Sequence, residues 1–177
     1  SLLPGNKKEP EATEASQSTP AGQPAFTLEV HAPDDVRKLL LAHLELQRYR
    51  DLPDLQPNEL SRLLVAADAN ARDLLGTLGY FSPDITIESK ERVVEITVQP
   101  GPAFTFGDVA FAGDAEGRNP ADYGLVPGAR ADSTLILKAG EKVVVDLKAE
   151  GRPLARLVER NATADHKTQT VDVVIAA

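Results

Sequence analysis

The 177-residue sequence has no cysteine, methionine or tryptophan, and aromatic residues make up only 5 % of it. The missing cysteines exclude disulfide staples and thiol chemistry. They do not fix a compartment, since many proteins of oxidising compartments also lack them. With aromatics scarce, Leu, Val, Ile and Ala must build any core, and 42 % of the residues are apolar. The chain has a net charge of −8 and no basic stripe, which argues against nucleic acid as a partner. No five-residue run of Lys and Arg exists either, so anionic lipid is a poor partner. No apolar run reaches the roughly 18 residues of a membrane span. The first apolar run is Leu2-Leu3, too short for a signal peptide, and the chain begins with Ser1. It reads as an excised fragment or a processed product.

Signatures of chemistry are missing as well. His31, His43 and His166 are the three histidines, and they fall in different elements without the HxxxH or HExxH spacing of a metal site. His43 reads as a rim or core residue. Asp34-Asp35 opens a helix, where two carboxylates stabilise the positive end of the dipole. Ser61, Ser82 and Ser133 lack a G-x-S-x-G context, and no phosphate-binding glycine loop is present. Asn161-Ala162-Thr163 fits the glycosylation pattern but reads as a polar turn. Arg152, Arg156 and Arg160 form a basic series in an acidic chain, either a solvated face or a contact surface for an acidic partner. This set of residues predicts no catalytic, cofactor or metal site.

What is present is organised from the amino end. Residues 1–25 are rich in Pro, Ser, Thr, Glu and Gln, and the composition predicts a disordered arm. Phe26, Leu28 and Val30 alternate onto one face of a strand. Pro33, Asp34 and Asp35 then start a helix whose inner stripe is Val36, Leu39, Leu40, His43, Leu44 and Gln47. After a connector over 48–57, a second helix carries Leu60, Leu63, Leu64, Ala67, Ala71, Leu74, Leu75 and Leu78 at a 3.6-residue period. Gly79 stands where a helix end takes positive φ. Tyr80 and Phe81 can pack the hinge between helix and sheet. Two strands follow, with Ile85 and Ile87 on one face of the first and Val94, Ile96 and Val98 on one face of the second. Ser89 to Arg92 makes their turn.

Pro100-Gly101-Pro102 ends this unit, and a second begins. Residues 103–113 read as a strand with Phe104, Phe106, Val109 and Phe111, broken by a bulge at Gly107-Asp108. Any helix in the Gly- and Pro-rich stretch after it is short, near Pro120 to Tyr123. Residues 134–150 fit either a hairpin or a helix. An internal repeat favours the helix: LGYFSPDITIE after the first long helix corresponds to EGRPLARLVER after residue 150. Val171, Val173 and Ile175 then match Val94, Ile96 and Val98.

The β-α-α-β-β order, the helix-terminal GYF, the hairpin and the P-G-x-x-F-x-F-G-x-V-x-F join together resemble POTRA domains, periplasmic repeats that precede outer-membrane barrels. The stretch from FTLEVHAPDDVRKLLLAHLEL to LLGTLGYFSPDITIE resembles most the first POTRA domain of TamA-type proteins, the barrel subunits of a translocation and assembly module. The resemblance implies an α+β fold of two tandem β-α-α-β-β units, at 26–101 and 102–177, each a three-stranded mixed sheet covered by two helices. The second unit departs from the pattern, with Gly151-Arg152 in place of Gly-Tyr and an eroded first helix.

The function so implied is non-catalytic: a docking scaffold in the periplasm, part of an outer-membrane protein concerned with outer-membrane protein assembly and protein transport. Its partners would be a TamB-like, inner-membrane-linked subunit or nascent outer-membrane proteins, and its own C-terminal barrel in a longer chain. Docking is expected by strand addition to open sheet edges. In the first unit that edge is Asp84, Ile85, Thr86, Ile87, Glu88 and Ser89. In the second it is Ala155, Arg156, Leu157, Val158, Glu159 and Arg160. Rival readings are a POTRA pair of a BamA-type or two-partner secretion transporter, and a small periplasmic hydrolase.

Overall fold

The computed structural model describes residues 25–52 and 54–177; the predicted arm, but for Ala25, lies outside them. Two three-stranded sheets follow one another along the chain. Unit one contains β1 (Thr27–His31), α1 (Asp34–His43), α2 (Pro57–Gly76), β2 (Asp84–Lys90) and β3 (Val93–Gln99). Its strand order is β1-β3-β2, with β1 parallel and β2 antiparallel to the central β3. Unit two contains β4 (Thr105–Ala112), α3 (Ser133–Ala149), β5 (Glu159–Asp165) and β6 (Thr170–Ala176). Its order is β4-β6-β5, with the same parallel and antiparallel pairings.

Each unit has its own core, built between one sheet face and its helix. In unit one Ala67, Ala71 and Leu75 of α2 meet Val94, Ile96 and Val98 of β3. In unit two Ala139, Val143 and Leu147 of α3 meet Val171, Val173 and Ile175 of β6. The helical stripe of α2 lies where its period predicts, with Leu60, Leu63 and Leu64 half-buried at the upper end. The stripe of α1 is shorter than expected. Val36, Leu40 and Leu44 are buried, but the α-helix stops at His43, which is exposed, and a 3₁₀ turn over Glu45–Tyr49 buries Leu46 instead. Gln47 therefore leaves the stripe.

Residues 133–149 are helical despite Val143-Val144-Val145. The Asp132 carboxylate accepts the Thr134 N–H and caps the helix start. Where unit one has α1, unit two has two 3₁₀ turns, Gly113–Ala115 and Pro120–Tyr123. A polar knot holds that segment to α3. Tyr123 Oη donates 2.7 Å to Asp146, and Arg118 donates 2.7 Å to Tyr123 while also pairing with Glu150. Burial, then the Asp146 carboxylate, raises the Tyr123 phenol above its usual range.

Both long helices end in the same way. Gly79 and Gly151 have φ of 86° and 97°. The N–H groups of Gly79 and Tyr80 donate to the carbonyls of Gly76 and Leu75, and those of Gly151 and Arg152 donate to Lys148 and Leu147. These are paired carbonyl-capping turns. The β2–β3 turn is tighter than expected: Ser89 and Lys90 remain in the ladder, and only Glu91 and Arg92 turn, both at positive φ. The β4 ladder shifts register between Phe106 and Val109. There the Asp108 N–H donates 2.8 Å to Asp172.

Candidate functional site

The Gly79-Tyr80-Phe81 stretch joins the units. Phe104 N–H, at the head of unit two, donates 2.8 Å to the Gly79 carbonyl. A Cβ at Gly79 would lie 2.9 Å from Arg130 Cγ and 3.3 Å from the Phe104 carbonyl oxygen. Phe81 packs on the core of unit two, with its ring 5.8 Å from Phe104, whereas Tyr80 packs on unit one. Tyr80 also donates 3.1 Å to Asp35 and lies under the Arg130 guanidinium at 5.6 Å. Burial, then the bond to Asp35, raises the Tyr80 phenol above its usual range. Ser82 Oγ bonds His166 Nδ1 from the turn between β5 and β6. The predicted hinge packing within unit one holds for Tyr80, whereas Phe81 forms a joint with unit two.

The predicted edge segment of unit one, Asp84 to Ser89, lies in β2, with its outer side free of any partner strand. The predicted edge of unit two is displaced. Ala155, Arg156 and Leu157 form a loop, and Val158 joins the sheet only through its N–H to the Ala176 carbonyl. Only Glu159 and Arg160 of that set lie in β5, which continues to Asp165. The cause is an insertion: the edge strand starts five residues after the capping Gly79 in unit one and eight after Gly151 in unit two. The opposite edge of unit two is partly covered, because residues 128–131 bond back to Phe104 and Phe106 of the β4 segment.

The inner faces of the two edge strands differ. Ile85, Ile87 and Ser89 stand opposite Val98, Ile96 and Val94 in unit one. Arg160, Ala162 and Ala164 stand opposite Ile175, Val173 and Val171 in unit two. The facing helix surfaces differ in the same sense. Matched on the capping glycines, Val65, Asp68 and Arg72 of α2 correspond to Leu137, Gly140 and Val144 of α3. Arg72 pairs with Asp68 at 2.9 Å and donates 3.2 Å to the Pro83 carbonyl. That bond ties α2 to the start of β2.

Small residues on both walls leave a trough between α3 and β5. Beside it, at the joint, is a cavity of about 690 Å³ between the end of α2 and the α3–β5 seam, lined by Arg72, Gly76, Tyr80, Phe81, Ile136 and Ala162 among others. The far end of the trough is a hollow of about 430 Å³ lined by Gly140, Val144, Lys148, Arg156 and Arg160 among others. Arg160 lies at the wall of that hollow. Its Nη1 donates 3.4 Å to the Leu137 carbonyl, and a Cβ on Gly140 would come within 3.0 Å of its guanidinium. Arg152 is drawn off to Asp114 at 3.0 Å, so the three arginines do not share one face.

Among the described residues one group could hold a metal ion: Glu29, His31 and Glu95, all exposed, with ligand atoms within 4.8 Å of one another. They belong to the outer sheet face, where Glu29, Glu95 and Glu88 stand in register across three strands. Sequence reading missed this group because it depends on cross-strand register. It missed the trough because the inner face of β5 has no apolar alternation.

Residues 28–100 match the family model described as POTRA domain, TamA domain 1. The match spans nearly all of unit one, which is thus similar to a POTRA domain. Unit two repeats its sheet order and its capped long helix. No match was found among curated proteins. Among solved structures, the BamA of Haemophilus ducreyi lacking POTRA domains 1–3 is 16 % identical, with 85 % of this chain and 28 % of that one covered and a TM-score of 0.45. Haemophilus influenzae BamA POTRA3-5 is 17 % identical, with 88 % and 61 % covered and a TM-score of 0.46. POTRA1-2 of the periplasmic domain of Omp85 from Anabaena is 12 % identical, with 85 % and 92 % covered and a TM-score of 0.48. The chain thus spans 28 % and 61 % of the lengths of the two BamA chains. No helix among the described residues is long and apolar enough to cross a membrane.

Proposed function

We propose that the chain is a non-catalytic docking region of a TamA-like outer-membrane assembly or translocation factor. Its two POTRA-type domains, 26–101 and 102–177, work in the periplasm and receive extended segments of partner or client proteins. The TamB-like subunit and nascent barrel strands are the partners that fit a TamA-like setting. The observation that carries this reading is the strand order: in both sheets the sequentially last strand is central, so β2 and β5 present unpaired backbone at an edge. Main-chain pairing at such an edge makes little demand on the sequence of the incoming strand.

The lack of native cysteine makes a clean test possible. A cysteine introduced singly at Thr86 or Thr163 is unique, as is one at Val65, which is exposed on α2. Client-strand peptides bearing one cysteine should be trapped as disulfides at an edge position and not at Val65. Equal trapping at all three positions would remove edge addition as the mode of docking.

A further inference from the structure

The trough under β5 carries more than an open edge. A strand added to β5 would set its inward side chains beside Arg160, Ala162 and Ala164, at Cβ separations of about 4.5–5.5 Å. Beside Ala162 it would meet room bounded by Ile136, Leu137 and Phe81. Beside Arg160 it would meet a cation whose one hydrogen bond among the described residues is 3.4 Å long, to a neutral carbonyl. Such a bond is near the limit of useful length, and a carboxylate is a stronger acceptor. The surroundings reinforce this preference: Arg156 and Lys148 share the far hollow with Arg160, against one acid, Glu141. This local positive charge is set in a chain of net charge −8. Unit one offers no equivalent, because Ile85 and Ile87 fill its edge and Asp68 already satisfies Arg72.

We infer that the β5–α3 seam is an acceptor for extended segments carrying a carboxylate and, two positions on, an apolar side chain beside Ala162, and that Arg160 reads the carboxylate. The inference rests on the edge-addition reading above and adds its chemistry. In the free protein Arg160 lies against Gly140 at the wall of the far hollow. The incoming carboxylate draws the guanidinium off the Leu137 carbonyl. Gly140 matters because any side chain there would push Arg160 out of this resting place.

The test is a calorimetric titration of the 177-residue protein with a seven-residue peptide, the length of β5. The peptide has glutamate, valine and valine on one face and threonines on the other. A second peptide carries lysine in place of glutamate. The glutamate peptide should bind at least about tenfold more tightly, as expected when one charged pair is made or opposed. Arg160→Glu should invert the order, and Arg160→Ala should level it while leaving binding measurable; near-wild-type amide spectra establish that both variants fold. Equal affinity of the two peptides for the wild-type chain overturns the reading role of Arg160 and leaves edge addition standing. Absence of binding by both, or self-association of the chain through β5 in their place, overturns the inference and edge addition together.

Discussion

The two units share a plan and differ at one seam. Their buried stripes correspond position by position: Ala67 with Ala139, Ala71 with Val143, Leu75 with Leu147. Where each long helix faces its edge strand, unit one places isoleucines against an ion pair. Unit two places alanines against Leu137, Gly140 and Val144. A core fixes the fold through volume and apolar character. A seam at the sheet edge is free to vary, because closing or opening it leaves the central ladder intact. The same architecture can thus present two open backbone edges, one over a filled seam and one over a hollow one.

The comparison is broken most forcefully through the cores. Leu75→Ala and Leu147→Ala each remove a fully buried side chain, at a cost of about 2–5 kcal/mol. Each should reduce hydrogen-exchange protection chiefly in its own unit. Leu64 is only half-buried, so Leu64→Ala should cost less than Leu75→Ala. Equal losses of protection in both units from either core substitution would show a single cooperative body.

The capping glycines sharpen the comparison. Gly151→Ala meets nothing within 4 Å and should cost only the left-handed backbone strain, about 1–2 kcal/mol. Gly79→Ala carries the same strain plus contact with Arg130 and Phe104 across the joint, so its denaturation midpoint should fall further. A reversed order would mean that the joint yields freely.

Alkaline pH acts by a smaller amount on each unit, through Tyr80 in unit one and Tyr123 in unit two. The Tyr123 phenol is raised above its ordinary value of 10.0, first by burial. The folded chain therefore holds that proton more tightly than the unfolded one. The associated stability is fully present below pH 10 and declines as pH rises through the folded value. Tyr123→Phe should flatten the part of the fall above pH 10 that belongs to unit two. The smallest effect belongs to the exposed Asp68–Arg72 pair. Asp68→Ala should change the stability of unit one by less than about 1 kcal/mol.

The sequence makes the fold legible wherever a period is strong. The α2 stripe stands out because eight apolar positions follow one 3.6-residue repeat. The identity of α3 is legible only through the repeat, since Val143, Val144 and Val145 locally favour a strand. The start of β5 is hidden. ERNATAD has no apolar alternation, because its inner face is Arg160, Ala162 and Ala164, and three extra residues after Gly151 shift it from the repeat register. The joint is half legible: Gly79 announces a helix end, but nothing local says that Phe81 reaches into the next unit. The trough needed both the displaced strand and the helix face before its small residues could be seen as one feature.

The central claim is that the edge of unit two favours an acid-bearing strand, and that the edge of unit one, open but lined by Ile85 and Ile87, does not. Residue-resolved amide shifts during titration with the glutamate-bearing strand peptide test it most directly, on the wild-type chain and on Ala162→Ile, which gives the β5 seam the bulk of Ile87. The account predicts that in the wild type shifts across residues 159–165 and at Gly140 saturate at lower peptide concentration than any across residues 84–90, and that they are lost in Ala162→Ile. Shifts centred on residues 84–90, or undiminished binding at β5 in Ala162→Ile, would contradict it.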